Sequence, residues 1–186
     1  MTSPTIVDRL HEEFQAIIGH LDRGAEPSLR SAADENFRKA LLLAAASYFE
    51  TRVVDSITVF VRGTPPAHEL AAEFIRRKAL NRQFHTLFDW DRNNANKFFG
   101  YFGERFREFM EGELKTDSAL ADGVGAFTEI GRERNRLVHQ NYAAFPLEKT
   151  TEEIYELYQH ARVFVDGLQS KLEACACDKL EHEPQD

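Results

Sequence analysis

Cysteine is nearly absent from this chain: the two it has, Cys175 and Cys177, stand one residue apart. A bridge between them would be strained and would close almost no loop, so a disulfide framework is excluded and reduced thiols in a cytoplasmic setting are the expectation. No run of about 18 apolar residues occurs, which leaves no candidate membrane span. The opening MTSPTIVDRLHEEF has neither a basic start nor a long apolar core, so it does not read as a secretory leader. A soluble, intracellular protein with no membrane partner is expected.

Several common chemical signatures are missing too. GVGAF, at 123–127, lacks the lysine and the preceding strand of a phosphate loop. There is no His-Glu-x-x-His zinc motif. The C-terminal CACDKLEH offers Cys175, Cys177, Asp178 and His182, but cysteines one residue apart do not fit a structural zinc knuckle. Neither Ser47 nor Ser56 sits on a glycine-flanked elbow that would expose a nucleophile. No metal and no cofactor are therefore expected. His11, His20, His68, His85, His160 and His182 have no chemical setting in the sequence and default to surface or core roles.

What is present describes a folded helical protein. With 186 residues the chain suits one domain, and 15 Phe with 29% charged residues describe a real core under a solvated surface. The net charge is -8, yet residues 63–140 carry 12 basic and 12 acidic side chains while 141–186 carry 4 and 10. The middle of the chain is thus free to offer a local cationic surface.

Ile6, Leu10, Phe14, Ile17 and Leu21 recur at helical spacing and predict a first helix ended by Gly24 to Pro27. A second helix is predicted over Phe37 to Arg62, the β-branched second half being carried by continuity with LLLAAA. A third is expected over Ala67 to Leu80, followed by a strongly aromatic helix, loop and helix from Phe84 to Phe106 whose rings suit core packing. ELKTDSALADGVGAF reads as a loop with Ser118 or Asp122 as helix caps. A fifth helix then runs towards Pro146. Thr150 or Thr151 caps a last one, striped by Ile154, Leu157, Tyr158, Ala161, Val165, Leu168 and Leu172. The fold class is all-α, a single-domain bundle of five or six helices.

The fifth helix carries GRERNRLVHQNYAAF, which puts Arg132, Arg134 and Arg136 within five residues and His139 just beyond. Asn135 and His139 are four apart and share a face; on a straight helix Arg134 lies about 140° around from His139. The set suits RNA cleavage, since a histidine can move a proton at a ribose 2′-hydroxyl or a leaving oxygen while an arginine holds the phosphate. The same residues equally suit a solvated helix end whose cations favour the dipole.

RNRLVH, with Arg134, Asn135 and His139, resembles the arginine, polar residue, spacer and histidine signature of the HEPN superfamily. Its place late in an all-helical chain, before one long final helix, is similar as well. LLLAAASYFETRVVDSI is similar to the small, aromatic and glutamate pattern of an early HEPN helix, and SYFE with FDWDRNNANKFFGYFG looks nearest to the RiboL-PSP-HEPN group. The resemblance covers a core of about residues 5–175 within a single HEPN-like domain of 1–186, with 176–186 expected to be a flexible acidic tail.

The resemblance implies a metal-independent endoribonuclease that acts on RNA as a homodimer with a composite active site, the Arg134 and His139 of two protomers facing each other across a shared cleft, in phage defence or a toxin-antitoxin system with an antitoxin or other defence component as partner. It implies that Arg134 polarises the phosphate, that His139 is acid or base, that Asn135 orients one of them and that Glu50 supports Arg134. Arg132 and Arg136 would guide RNA. HEPN toxins paired with a nucleotidyltransferase antitoxin carry a modifiable tyrosine two residues after the histidine; here that place is Asn141, and Tyr142 follows it. Two other readings stay open: a HEPN-like dimer that binds RNA, a nucleotide or a protein without cutting, and a helical adaptor that docks a partner through the aromatic region around Trp90.

Overall fold

The computed structural model describes residues 3–63, 75, 80 and 83–177. Among these there are seven helices and no strand, as the all-α reading expects. The expected third helix over Ala67 to Leu80 lies outside the described residues except for Ile75 and Leu80, as do His68 and the tail with Asp178 and His182.

α1 (Ile6–Arg23) opens on a reciprocal cap, in which the Asp8 amide donates to Thr5 Oγ1 (3.1 Å) and the Thr5 amide donates to Asp8 Oδ2 (2.8 Å). Its packed stripe is Val7, Leu10, Phe14 and Ile18, whereas Ile6 and Ile17 are 59% and 46% exposed. The two stripes have similar spacing, and packing against the rest of the bundle decides between them.

α2 (Pro27–Arg62) starts well before the expected Phe37. Residues 27–36, PSLRSAADEN, carry no apolar stripe and are largely exposed, so periodicity is silent there; the local signal is the proline at the first helical turn. The β-branched second half is helical as expected, with Ser56 and Thr58 hydroxyls donating back to Arg52 O (2.9 Å) and Val54 O (2.7 Å).

The aromatic region forms two short helices, α3 (Phe84–Leu87) and α4 (Asn96–Gly100), before α5 (Glu104–Thr116). The loop expected over ELKTDSALADGVGAF is not there: α5 runs to Thr116 and α6 (Ser118–His139) begins two residues later. The cap is Asp117, which accepts from the Leu120 amide (3.0 Å), in place of Ser118 or Asp122. Gly123 is a packing residue and no breaker, since a Cβ there would stand 2.9 Å from His160 O and 3.1 Å from Phe164 N. Its missing side chain lets α6 cross α7 (Thr151–Cys177) closely. Thr150 caps α7 with a second reciprocal pair to Glu153, and the expected α7 stripe is buried, Leu157 partly so.

Side-chain contacts give the helix directions. Phe49 meets Phe127 while Lys39 meets the chain just past α6, so α2 and α6 are antiparallel. Asp34 meets Thr151 and Arg52 meets Asp166, so α2 and α7 run parallel. Phe49, Phe127, Tyr158 and Phe164 are almost fully buried where these three helices meet. Such rings contribute about 1.5–3 kcal/mol each by burial.

A polar cluster ties α1 to α7. Asp8 Oδ1 accepts from Tyr155 Oη (2.9 Å) and Gln159 Nε2 (2.9 Å), and Arg162 lies 3.7 Å from the other oxygen. Burial alone would raise the Asp8 pKa, but the hydrogen bonds from Thr5, Tyr155 and Gln159 outweigh it and hold the carboxyl below its ordinary value. Tyr158, which shares a 2.5 Å hydrogen bond with Thr5 Oγ1, is pushed up to about 12, chiefly by burial. Cys175 is buried and Cys177 exposed on the last turn of α7, so they form no bridge with each other. No described helix is long and apolar enough to cross a membrane.

Candidate active site

The last two turns of α6 are fixed from both ends. Upstream, Gly131 lies under the indole of Trp90: a Cβ there would stand 1.9 Å from Cζ3 and 2.0 Å from Cε3, an overlap no side chain could tolerate. Glycine thus lets the aromatic segment lie directly on the α6 backbone. Trp90 is itself held by donating from Nε1 to the backbone oxygen of His85 (2.8 Å), and it packs near Phe84, Phe88 and Phe127.

Downstream, α6 ends at His139, with Gln140 already extended. The turn that follows closes through Phe145 N to Asn141 O (2.8 Å), and buried Phe145 and Leu147 plug it into the core. From α2, the ammonium of Lys39, 1% exposed as a residue, donates to Tyr142 O (3.1 Å) and to Glu35 Oε1 (3.1 Å). A buried cation is costly unless paired, and here it fixes the chain just past His139.

Between these anchors opens a cleft of about 340 Å³, at the lower end of the range typical of small-molecule sites, about 300–1,000 Å³. Its polar lining is Arg134, Asn135 and His139 from α6, Glu50 from α2 and His85 from the aromatic segment; Trp90 and Phe49 are among its apolar walls. Arg134 and His139, about 140° apart on a straight helix, reach one cleft because the helix stops at His139 and Arg134 has a long, flexible side chain. Arg134 Nη1 donates to Asn135 Oδ1 (3.1 Å), so the neighbouring amide holds the guanidinium. Glu50 faces the same cleft without an ion pair to Arg134 among the described residues.

Arg132 and Arg136 are placed differently. Arg136 Nη1 bridges both oxygens of Glu133 (3.0 and 3.1 Å), and Arg132 stands 3.9 Å from Glu133 and from Glu129. Both line a second depression, on the far side of Trp90 and Asn135, with Lys97, Asp89 and Asp91. Its three cations and two carboxylates make it a mixed surface.

Spacing within RNRLVH brings Arg134, Asn135 and His139 together, and Glu50 joins them across the α2–α6 contact. The reading by spacing missed His85, Trp90 and Gly131, because nothing near Phe84 to Trp90 indicates which helix that segment covers. Gly131, one turn before Asn135, was the available hint that something lies against α6 there. Among the described residues no group of three or more His, Cys, Asp or Glu side chains gathers as metal ligands would. The cleft offers a cation, an amide, a carboxylate and two imidazoles, a set fit to bind a phosphodiester and move protons around it.

Among known families, the chain matches the one described as RiboL-PSP-HEPN over residues 8–174. No curated protein and no solved structure matches the chain.

Proposed function

The chain belongs to the RiboL-PSP-HEPN family of the HEPN superfamily, and from that premise we propose that its cleft is the site of a metal-independent endoribonuclease. The observation that carries the proposal is the convergence of Arg134, Asn135, His139 and Glu50 on one cleft at the end of α6. Arg134, oriented by Asn135, binds the scissile phosphate and stabilises the charge that develops on it. His139 exchanges a proton with the ribose 2′-hydroxyl or the leaving oxygen, and the exposed end of the helix leaves its ring open to substrate. Glu50 sets the field at Arg134 from across the cleft.

Val138 and Tyr142, 45% and 41% exposed beside the site, give a second copy apolar surface to meet, and the proposal includes a homodimer whose clefts face one another. Arg132 and Arg136 approach the RNA backbone from the adjoining depression. The biological setting we propose is phage defence or a toxin-antitoxin system, with an antitoxin or other defence component as partner and the cytoplasm as location.

The test is cleavage of a mixed RNA pool that includes intact transfer RNA, in the presence of chelator, by wild type and His139→Ala, each confirmed folded by circular dichroism. Cutting by wild type alone supports the proposal. If neither protein cuts any RNA offered, a non-catalytic binding role replaces it.

A further inference from the structure

Cleavage by internal attack needs two proton transfers, one from the 2′-hydroxyl and one to the departing 5′-oxygen, and RNRLVH supplies one histidine per protomer. The cleft holds a second. His85 lines it together with Arg134 and His139, although it comes from a different part of the chain. Its ring is exposed at the cleft wall, and its backbone is pinned because its carbonyl accepts the Trp90 indole N–H (2.8 Å). Trp90 is in turn seated on Gly131, one turn of α6 before Asn135. One chain of contacts therefore registers the segment bearing His85 against the helix bearing His139.

Resting on the endoribonuclease reading, we infer that His85 is a second proton-transfer group in each protomer's share of the site, working with the Arg134 and His139 that line the same cleft. In the step, one imidazole takes the 2′-hydroxyl proton as the 2′-oxygen bonds to phosphorus. The bond from phosphorus to the 5′-oxygen breaks, and the other, protonated imidazole gives its proton to that oxygen. The products are a 2′,3′-cyclic phosphate and a 5′-hydroxyl, and solvent returns the two imidazoles to their starting protonation. Among the described residues, the charged and titratable groups that line the cleft with His85 are Glu50 from α2 and Arg134 and His139 from α6. Asp89 and Asp91 of its own segment open on the neighbouring depression.

The test is the pH–rate profile for RNA cleavage by wild type, His85→Ala, His85→Gln and His139→Ala. Because the Trp90 hydrogen bond uses the His85 backbone, either substitution leaves it possible, and the emission of the single tryptophan checks that it stays. Wild type is expected to give a bell, and both His85 variants to lose about 100-fold or more together with one limb of that bell. Imidazole added to His85→Ala is expected to restore part of the rate. His85 variants that keep both limbs overturn the inference while leaving His139 and the endoribonuclease reading intact, the second imidazole then coming from elsewhere. A wild type that cuts no RNA overturns both.

Discussion

At the junction of α1 and α7 the Asp8 carboxylate receives the Thr5 amide, the Tyr155 hydroxyl and the Gln159 amide, with Arg162 close by. In the cleft between α2 and α6 the Arg134 guanidinium meets one amide oxygen, and Glu50 and two imidazoles face the same space with no ion pair to it among the described residues. The first region spends its hydrogen-bonding capacity inside the protein and ties two helices together. The second keeps cationic, acidic and imidazole groups directed into a solvent-accessible cleft. A fold gains little by gathering such groups without mutual pairing, so the contrast separates polar residues that stabilise the chain from those left open to solvent and to any ligand.

The comparison breaks most visibly if the two regions respond alike to mutation. Arg134→Ala is expected to lower RNA cleavage by about 10²–10³-fold, the loss typical when one donor to a developing oxyanion is removed. Its thermal midpoint should match wild type, because the side chain donates only to its neighbour Asn135 among the described residues. Single-turnover cleavage beside a melting curve checks this. A large fall in the midpoint would assign Arg134 to the structural class.

Gly131→Val joins the two classes, since the clash with Trp90 must be relieved by moving the indole off α6. Overpacking of this kind costs about 1–3 kcal/mol. The expected signature is a red-shifted tryptophan emission, a lower urea midpoint and loss of cleavage together.

Asp8→Asn is expected to cost about 1–2 kcal/mol and to leave cleavage unchanged. Its pH dependence has a definite sign. The folded carboxyl titrates below its ordinary 3.8, so its contribution is complete above that value and disappears as falling pH protonates the folded state. The gap between wild type and Asp8→Asn in urea midpoint should therefore be widest near neutrality and narrow below about pH 4. A constant gap across that range would assign the Asp8 effect to shape and not charge.

The long apolar patterns of α2 and α7 and the RNRLVH motif on α6 were readable as sequence because each is a local regularity. The start of α2 was not, since its first ten residues are a solvated helix whose only marker is Pro27. Gly123 and Gly125 misled in the opposite direction: read as loop residues, they lie inside α6, where Gly123 accommodates a helix crossing. Glu50 could be nominated from a pattern, but its presence in the cleft depends on the antiparallel pairing of α2 with α6. His85 was least legible, since its position follows from an aromatic segment folding onto Gly131, a tertiary event with no spacing rule.

Within α6 the contrast sharpens to arginines two residues apart. Arg136 is committed to Glu133, whose side chain is 10% exposed, while Arg134 points into the cleft. Arg136→Ala leaves that carboxylate with Arg132 at 3.9 Å and should cost about 0.5–1 kcal/mol of stability, the upper range for a pair half open to solvent. If Arg136 also meets an RNA phosphate, binding weakens several-fold, the chemical step keeps its rate, and the slope of log affinity against log salt falls by about 0.7. Filter binding of Arg136→Ala at several salt concentrations measures that slope. An unchanged slope would mean that Glu133 has already neutralised the charge and that Arg136 does not meet the RNA backbone, in contrast to Arg134 in the cleft.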